Sequence, residues 1–252
     1  MAGLSPTPRS TFGSLGYTQL RHVLDPQLVE AGRQEAVRWG MIPPLNSPVK
    51  LYEEMVNGQK VPARIEGVSE TTGALGQLAQ FAKQQAEEVC GHELALFKDK
   101  INFKYPGAGQ FVAHQDSPAY FPHGSWHVSV LVPLMPFTEA NGALEIAPKV
   151  PLCPMTELQD LTYTPAPVSP GDCLVFDGLT PHRSGPNTTK APRIGLYMTF
   201  VNSSEAEARL SYQEAKAHGT KGLSLGQVDF TGNLVPSELL ATTDRVDATP
   251  QS

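Results

Sequence analysis

The sequence predicts a mainly β protein with flanking helices, built as an antiparallel barrel or a cupin-like double-sheet jelly roll. Three observations predict it. The strand-like stretches are short and bounded by turn signals. In the second half of the chain no helical pattern intervenes between them, which excludes a parallel βαβ sheet. The 252 residues also hold 22 glycines and 23 prolines, an excess that suits many turns better than a helix bundle.

Residues 1–20 are rich in Ser, Thr, Gly and Pro and read as a flexible lead-in. Asp25-Pro26 starts a helix, with an acid to cap it and a proline whose missing N–H costs nothing in the first turn. Leu28, Val29, Gly32, Ala36 and Val37 then recur at helical spacing up to Trp39. Residues 41–48 form a proline-rich loop. A second helix is predicted over 74–90, where Leu75, Leu78, Phe81, Ala82 and Val89 make an apolar stripe and Gly91 stops it. Residues 97–105 alternate polar and apolar, the period of a strand. Residues 126–134 read as a strand rich in Val and Leu. Asn141-Gly142 is a hairpin signal, with 143–147 leaving on its far side. Pro170-Gly171-Asp172 turns into a strand at 173–176, and 193–202 is another. A single domain is expected over 21–221, its helical part first and its strand-rich core second. Residues 222–252 are expected to be a partly disordered extension.

The formal net charge is −6, so no basic footprint for nucleic acid is present. Cys90, Cys153 and Cys173 are odd in number and have no CxxC spacing, which argues against a disulfide framework and a zinc knuckle. The start lacks an apolar signal-peptide core. The longest apolar run, 128–137, is broken by Ser129, Pro133 and Pro136 and is too short for a bilayer. The expectation is a cytoplasmic protein, a monomer or homodimer, with no nucleic-acid or membrane partner.

His114-Gln115-Asp116 carries the chemistry. On a strand or its exit, residues i and i+2 point the same way, so one imidazole and one carboxylate share a side. His182 follows just past a predicted strand. Two histidines and one carboxylate with open positions suit a non-haem Fe(II) oxygenase. His-x-Asp alone is a weak signal, and its surroundings add weight. Arg193 opens the next strand, and a guanidinium inside a barrel needs an anion. A dicarboxylate that chelates iron at one end would present that anion at the other, and Ser184 is placed to add a hydrogen bond. His123 and His127 are near the motif but off its register and are not read as ligands. Tyr120 is a candidate substrate contact. Arg64 reads equally as a pocket residue or an ion pair.

The segment 100–109 (KINFKYPGAG) followed by His114-Gln-Asp116, the turn Asn141-Gly-Ala-Leu-Glu-Ile-Ala-Pro, and His182-Arg-Ser-Gly-Pro-Asn with Arg193 eleven positions after the histidine resemble the phytanoyl-CoA dioxygenase family of iron(II)/2-oxoglutarate oxygenases. The resemblance spans about 97–202. It implies a double-stranded β-helix, iron on His114, Asp116 and His182, the distal carboxylate of 2-oxoglutarate on Arg193 with Ser184 assisting, and O2 as the second co-substrate. Succinate, CO2 and a hydroxylated small molecule would be the products. In the similar ectoine hydroxylases, polar residues of the strand before the motif touch 2-oxoglutarate; Asn102 matches one of them, and Lys98 stands where they carry an amide. The short 107–109 loop and a missing Trp after the motif argue against ectoine as substrate. The phrase also looks like that of bacterial relatives acting on small aminoalkylphosphonates. No cluster of basic residues suggests the nucleotide of an acyl-CoA. Two rival readings remain at this stage: a cupin-like metal-dependent isomerase or hydrolase that ignores 2-oxoglutarate, and a non-catalytic binding module.

Overall fold

The computed structural model describes residues 6–217 and two short paired strands beyond them, Gln227–Val228 with Leu234–Val235. In chain order the elements are α1 (Pro8–Leu15), β1 (Tyr17–Leu20), α2 (Pro26–Met41), β2 (Lys50–Val56), β3 (Gln59–Glu66), α3 (Ala74–Cys90), β4 (Leu94–Lys104), β5 (Phe111–His114), β6 (Val128–Pro133), β7 (Leu144–Ile146), α4 (Met155–Leu158), β8 (Thr164–Ala166), β9 (Cys173–Asp177), β10 (His182–Ser184), β11 (Arg193–Asn202) and α5 (Ala208–Ala217). A seven-stranded sheet runs β1-β9-β6-β11-β4-β3-β2, and a four-stranded sheet runs β5-β10-β7-β8. Every pairing in both is antiparallel, and the two sheets make the jelly roll.

The central strands β6, β9 and β11 are buried on both faces. Alternation along them sorts two environments. Val128, Val130 and Val132 of β6, with Ile194, Leu196, Met198 and Phe200 of β11, pack against Val29 and Ala36 of α2 and Leu75, Leu78 and Ala82 of α3. The opposite face presents Leu131, Leu174, Phe176 and Tyr197 to Leu144 and Ile146 of the small sheet. That second face is the inside of the barrel.

The two long helices form as the sequence dictates. Asp25 accepts a hydrogen bond from the Gln27 N–H at 2.9 Å to cap α2, and α3 ends where Gly91 turns left-handed at φ 84°. Two expectations are corrected. Residues 1–20 are not all lead-in, because Thr7 caps α1, Gly16 stops it at φ 79°, and β1 then pairs with β9 as the sheet edge. Asn141-Gly142 does not make a hairpin. Asn141 closes a single 3-10 turn, its side chain bound to Thr138 N–H and Pro136 C=O, and the chain crosses from the large sheet to the small one. The tight Asn-Gly hairpin lies instead at Asn57-Gly58, between β2 and β3, with φ 50° and 77°; two successive positive φ values are what a type I′ turn requires. Residues 222–252 lie outside the described residues except for the paired strands named above. No helix among the described residues is long and apolar enough to cross a membrane.

Candidate active site

β5 and β10 are neighbours in the small sheet, and their register sets His114 directly opposite His182. The two rings lie 4.2 Å apart, centroid to centroid. Asp116 follows at the head of a 3-10 turn, with its oxygens 3.7 Å from His114 Nε2 and 4.0 Å from His182 Nε2. One donor atom from each of the three residues lies within 4.8 Å of the others. Both histidines turn Nδ1 to a backbone carbonyl, Val112 O at 2.8 Å and Thr180 O at 3.0 Å. A carbonyl only accepts, so each Nδ1 carries the proton and each Nε2 keeps its lone pair for a metal. Burial, and then the neighbouring His182, push His114 down to about 4, so it stays neutral near pH 7. Burial works to raise the Asp116 carboxyl, but His182, His114 and two lysines outweigh it and hold it below its usual value. Two imidazoles that turn Nε2 towards one carboxylate are the donor set an Fe(II) ion accepts, and the residues fit the metal.

Gln115 points away from these donors and is fully buried. Its amide nitrogen donates to the carbonyls of Val150, Pro151 and Leu179 at 3.2, 3.2 and 2.8 Å, which ties the loops on either side of the triad to it. Gln115→Leu leaves three partly buried carbonyls without this donor and buries no replacement for it. It is expected to lower stability by about 2–4 kcal/mol and to weaken iron binding about 10–100-fold. Denaturant unfolding of the metal-free protein and an iron titration check the two effects.

A narrow cavity opens beside the triad, lined by all three donors together with Lys100, Asn102 and Arg193. At one end lies Arg193, 2% exposed. Its Nη1 donates to Gly142 O, and its buried Nε has no hydrogen-bond partner. Burial pulls this guanidinium below its ordinary pKa. Lys104, its cross-strand partner, donates to Ser184 Oγ at 2.9 Å and to Gly185 O. Burial, and then Arg193, drive the Lys104 ammonium down to about 7. A buried guanidinium with an unpartnered Nε–H, flanked across the strand pair by Lys104, makes an anion site. Asn102 borders the same cavity.

Lys98 is buried behind the cavity-lining Tyr120. Its ammonium is 3.4 Å from Tyr120 Oη and lies over the Tyr120 and Tyr212 rings at 5.2 and 5.4 Å. A bulge in the β4–β11 pairing beside Thr199 lets consecutive residues Phe97 and Lys98 both reach these rings. Tyr120 is 2% exposed and lines the cavity. Arg64 pairs with Glu66 at 3.3 Å. His123 bonds Ser211 Oγ at 2.8 Å, and His127 packs on Phe97 and Tyr120; neither joins the triad. Sequence reasoning missed Lys100 and Lys104. The signal was present, since 98, 100, 102 and 104 share one parity on an alternating strand, but lysines on such a strand are ordinarily its solvated side.

The family model of phytanoyl-CoA dioxygenase matches residues 12–195, most of the chain. The chain belongs to the phytanoyl-CoA dioxygenase family. Among curated relatives, it is 34% identical over 195 residues to a methylphosphonate hydroxylase of Gimesia maris, covering 72% of each chain. It is 30% identical over 220 residues to a 2-aminoethylphosphonate dioxygenase of the uncultured bacterium HF130_AEPn_1, covering 80% of this chain and 83% of that one. Among solved structures, EctD of S. alaskensis with bound Fe superposes with a TM-score of 0.65 at 19% identity, covering 80% of this chain and 78% of that one. The epimerase SnoN in complex with Fe3+ and alpha ketoglutarate gives 0.64 at 17% identity, covering 91% and 94%. At that identity the structures speak for the fold alone. As a phytanoyl-CoA dioxygenase family member the chain is an iron- and 2-oxoglutarate-dependent oxygenase, the first of the three readings the sequence left open.

Proposed function

We propose that this oxygenase hydroxylates a small organophosphonate, with His114, Asp116 and His182 holding the iron and Arg193 holding the far carboxylate of 2-oxoglutarate. The observation that carries the metal assignment is the triad itself: three donors within 4.8 Å, with both Nδ1 atoms already bound to backbone carbonyls. The substrate class rests on the two phosphonate-acting relatives. Bound iron would supply the redox chemistry that couples O2 and decarboxylation of 2-oxoglutarate to C–H oxidation.

The chain's own residues do the rest. Val112 O and Thr180 O fix the two imidazole planes. Arg193 Nε and Lys104 Nζ receive a carboxylate at the closed end of the cavity, with Ser184 Oγ beside them. Asn102 adds an amide on the same wall. The dicarboxylate is thereby oriented along the cavity, with its other end at the triad. Phe97, Tyr120 and Tyr212 pack together at the opposite end and keep water from it.

The test is an anaerobic addition of Fe(II) and then 2-oxoglutarate, followed by admission of air with methylphosphonate or 2-aminoethylphosphonate. A visible charge-transfer band that needs both iron and 2-oxoglutarate is expected, and then succinate release that the phosphonate accelerates. A band without phosphonate stimulation would retain the oxygenase and reject the substrate. Tight binding of zinc or manganese with no band would reject both.

A further inference from the structure

The cavity has a hydroxyl-lined end that 2-oxoglutarate does not need. Arg193 and Thr199 both lie on β11 and both line the cavity. A strand rises about 3.3 Å per residue, so the two positions stand roughly 20 Å apart along it. Ser129 of β6 is the cross-strand neighbour of Thr199, and the two hydroxyls are 3.0 Å apart. On its other side Ser129 neighbours Phe176 of β9, whose ring packs on the His182 ring at 5.0 Å. The hydroxyl pair therefore stands one side chain away from a residue of the triad, on the side away from Arg193.

Packing does not call for hydroxyls here. The same face of the central strands otherwise presents Leu131, Leu174 and Phe176, and Ser129 and Thr199 are only 2% and 6% exposed. Alanine and valine would fill the same space. Each hydroxyl carries one proton, and the bond between them uses one of the two, whichever atom donates. Among the described residues neither hydroxyl has another hydrogen-bond partner. The second proton is costly to bury without an acceptor, and the cavity that both residues line is where an acceptor can reach it.

The direction of the substrate follows from its chemistry. The only C–H bonds of methylphosphonate are in its methyl group, so that carbon must face the triad and the phosphonate must point away from it. The Arg193 end is taken by 2-oxoglutarate, which leaves the Thr199 end. We infer that Ser129 and Thr199 are specificity-determining residues that hydrogen-bond the phosphonate head of the substrate, with the cavity-lining Tyr120 beside them. A phosphonate brings acceptor oxygens to the free proton. An ammonium would bring only donors and leave that proton unmet. Lys98, behind Tyr120, is engaged by both Glu66 and Asp116 and is not part of this subsite. The assignment rests on the oxygenase reading above and deepens its substrate class to named side chains.

The test is calorimetric titration of methylphosphonate and 2-aminoethylphosphonate into the anaerobic Fe(II)–2-oxoglutarate enzyme, with 2-oxoglutarate titrated separately into the Fe(II) enzyme and thermal melts alongside. Ser129→Ala and Thr199→Val are each expected to lose about tenfold or more in affinity for both phosphonates, while 2-oxoglutarate affinity stays within about twofold. Thr199→Ser keeps the hydroxyl and is expected to recover most of the loss. The double variant Ser129→Ala/Thr199→Val separates binding from packing. Replacing both partners of a hydrogen bond by apolar groups of the same shape is nearly neutral for stability, so its melting temperature should return towards wild type while its phosphonate affinity stays low. Phosphonate affinity that recovers in the double variant, or that never falls in the single ones, would make the pair structural and overturn the inference. A loss confined to 2-aminoethylphosphonate would put the amine at the hydroxyls and overturn it as well, as would equal losses for 2-oxoglutarate. Wild-type enzyme that binds neither phosphonate would overturn it without any variant. The charge-transfer band with Fe(II) and 2-oxoglutarate, recorded in parallel, reports separately whether the oxygenase reading stands.

Discussion

Replacing His182 by alanine is expected to remove succinate release and iron binding together. Loss of a partner that merely orients a metal-bound histidine costs about 10–100-fold in affinity or activity, so loss of the ligand itself should exceed about 100-fold. His182 suits the test because it lies in β10 and its Nδ1 is bound only to the backbone carbonyl of Thr180. The fold around it is carried by the β10–β7 and β10–β5 ladders, which an alanine leaves in place. The check is equilibrium iron binding beside succinate release, with circular dichroism to show an intact fold. A His182→Ala protein that still binds iron tightly and turns over would sink the triad assignment.

Arg193→Met is expected to separate co-substrate binding from folding. The guanidinium is among the largest fully buried side chains of the protein, and its Nε is unsatisfied. Truncating one member of a buried charge pair costs about 2–5 kcal/mol, so the KM for 2-oxoglutarate should rise by roughly 30-fold to several thousand-fold. The metal-free protein should not suffer in the same way. It carries this charge with a single backbone acceptor, Gly142 O, and an apolar side chain of similar length over the Phe137 ring, which now lies 4.3 Å from the guanidinium carbon, should hold or raise its melting temperature. The measurements are 2-oxoglutarate saturation curves and thermal melts without ligand. A variant with an unaltered KM would show that the anion is held elsewhere. A large fall in the melting temperature at an unaltered KM would make Arg193 structural.

Each of the two experiments reads a different part of the cavity. His182 reports the donors that β5 and β10 bring together, and Arg193 reports the anion end that β11 and β4 build.

The amino-acid sequence determined by itself the features that depend on near neighbours. α3 follows from a 3.6-residue stripe and a glycine stop, α2 from an Asp-Pro cap, and β11 from an uninterrupted apolar run. His114 and Asp116 share a side because they are two residues apart. Signals that name a conformation without naming its context misled. Asn-Gly marks positive φ wherever it occurs, and Gly142 does turn left-handed at φ 74°, yet the real hairpin is at Asn57-Gly58. The first twenty residues carry a cap, a stop and an edge strand whose pairing partner, β9, lies about 150 residues away, so their local composition could not show that they are held.

Tertiary structure alone decided everything that crosses between strands. The register of β5 on β10 puts His182 opposite His114. The large sheet turns the even positions of β4 inward, so lysines that read as a solvated side become buried, and Lys100 lines the cavity. The bulge beside Thr199 brings Lys98 to Tyr120 and Tyr212. Spacing within a segment is fixed by the geometry of its own backbone. Register between segments is fixed by which apolar faces can be buried together, and that choice is made only when the whole chain has folded.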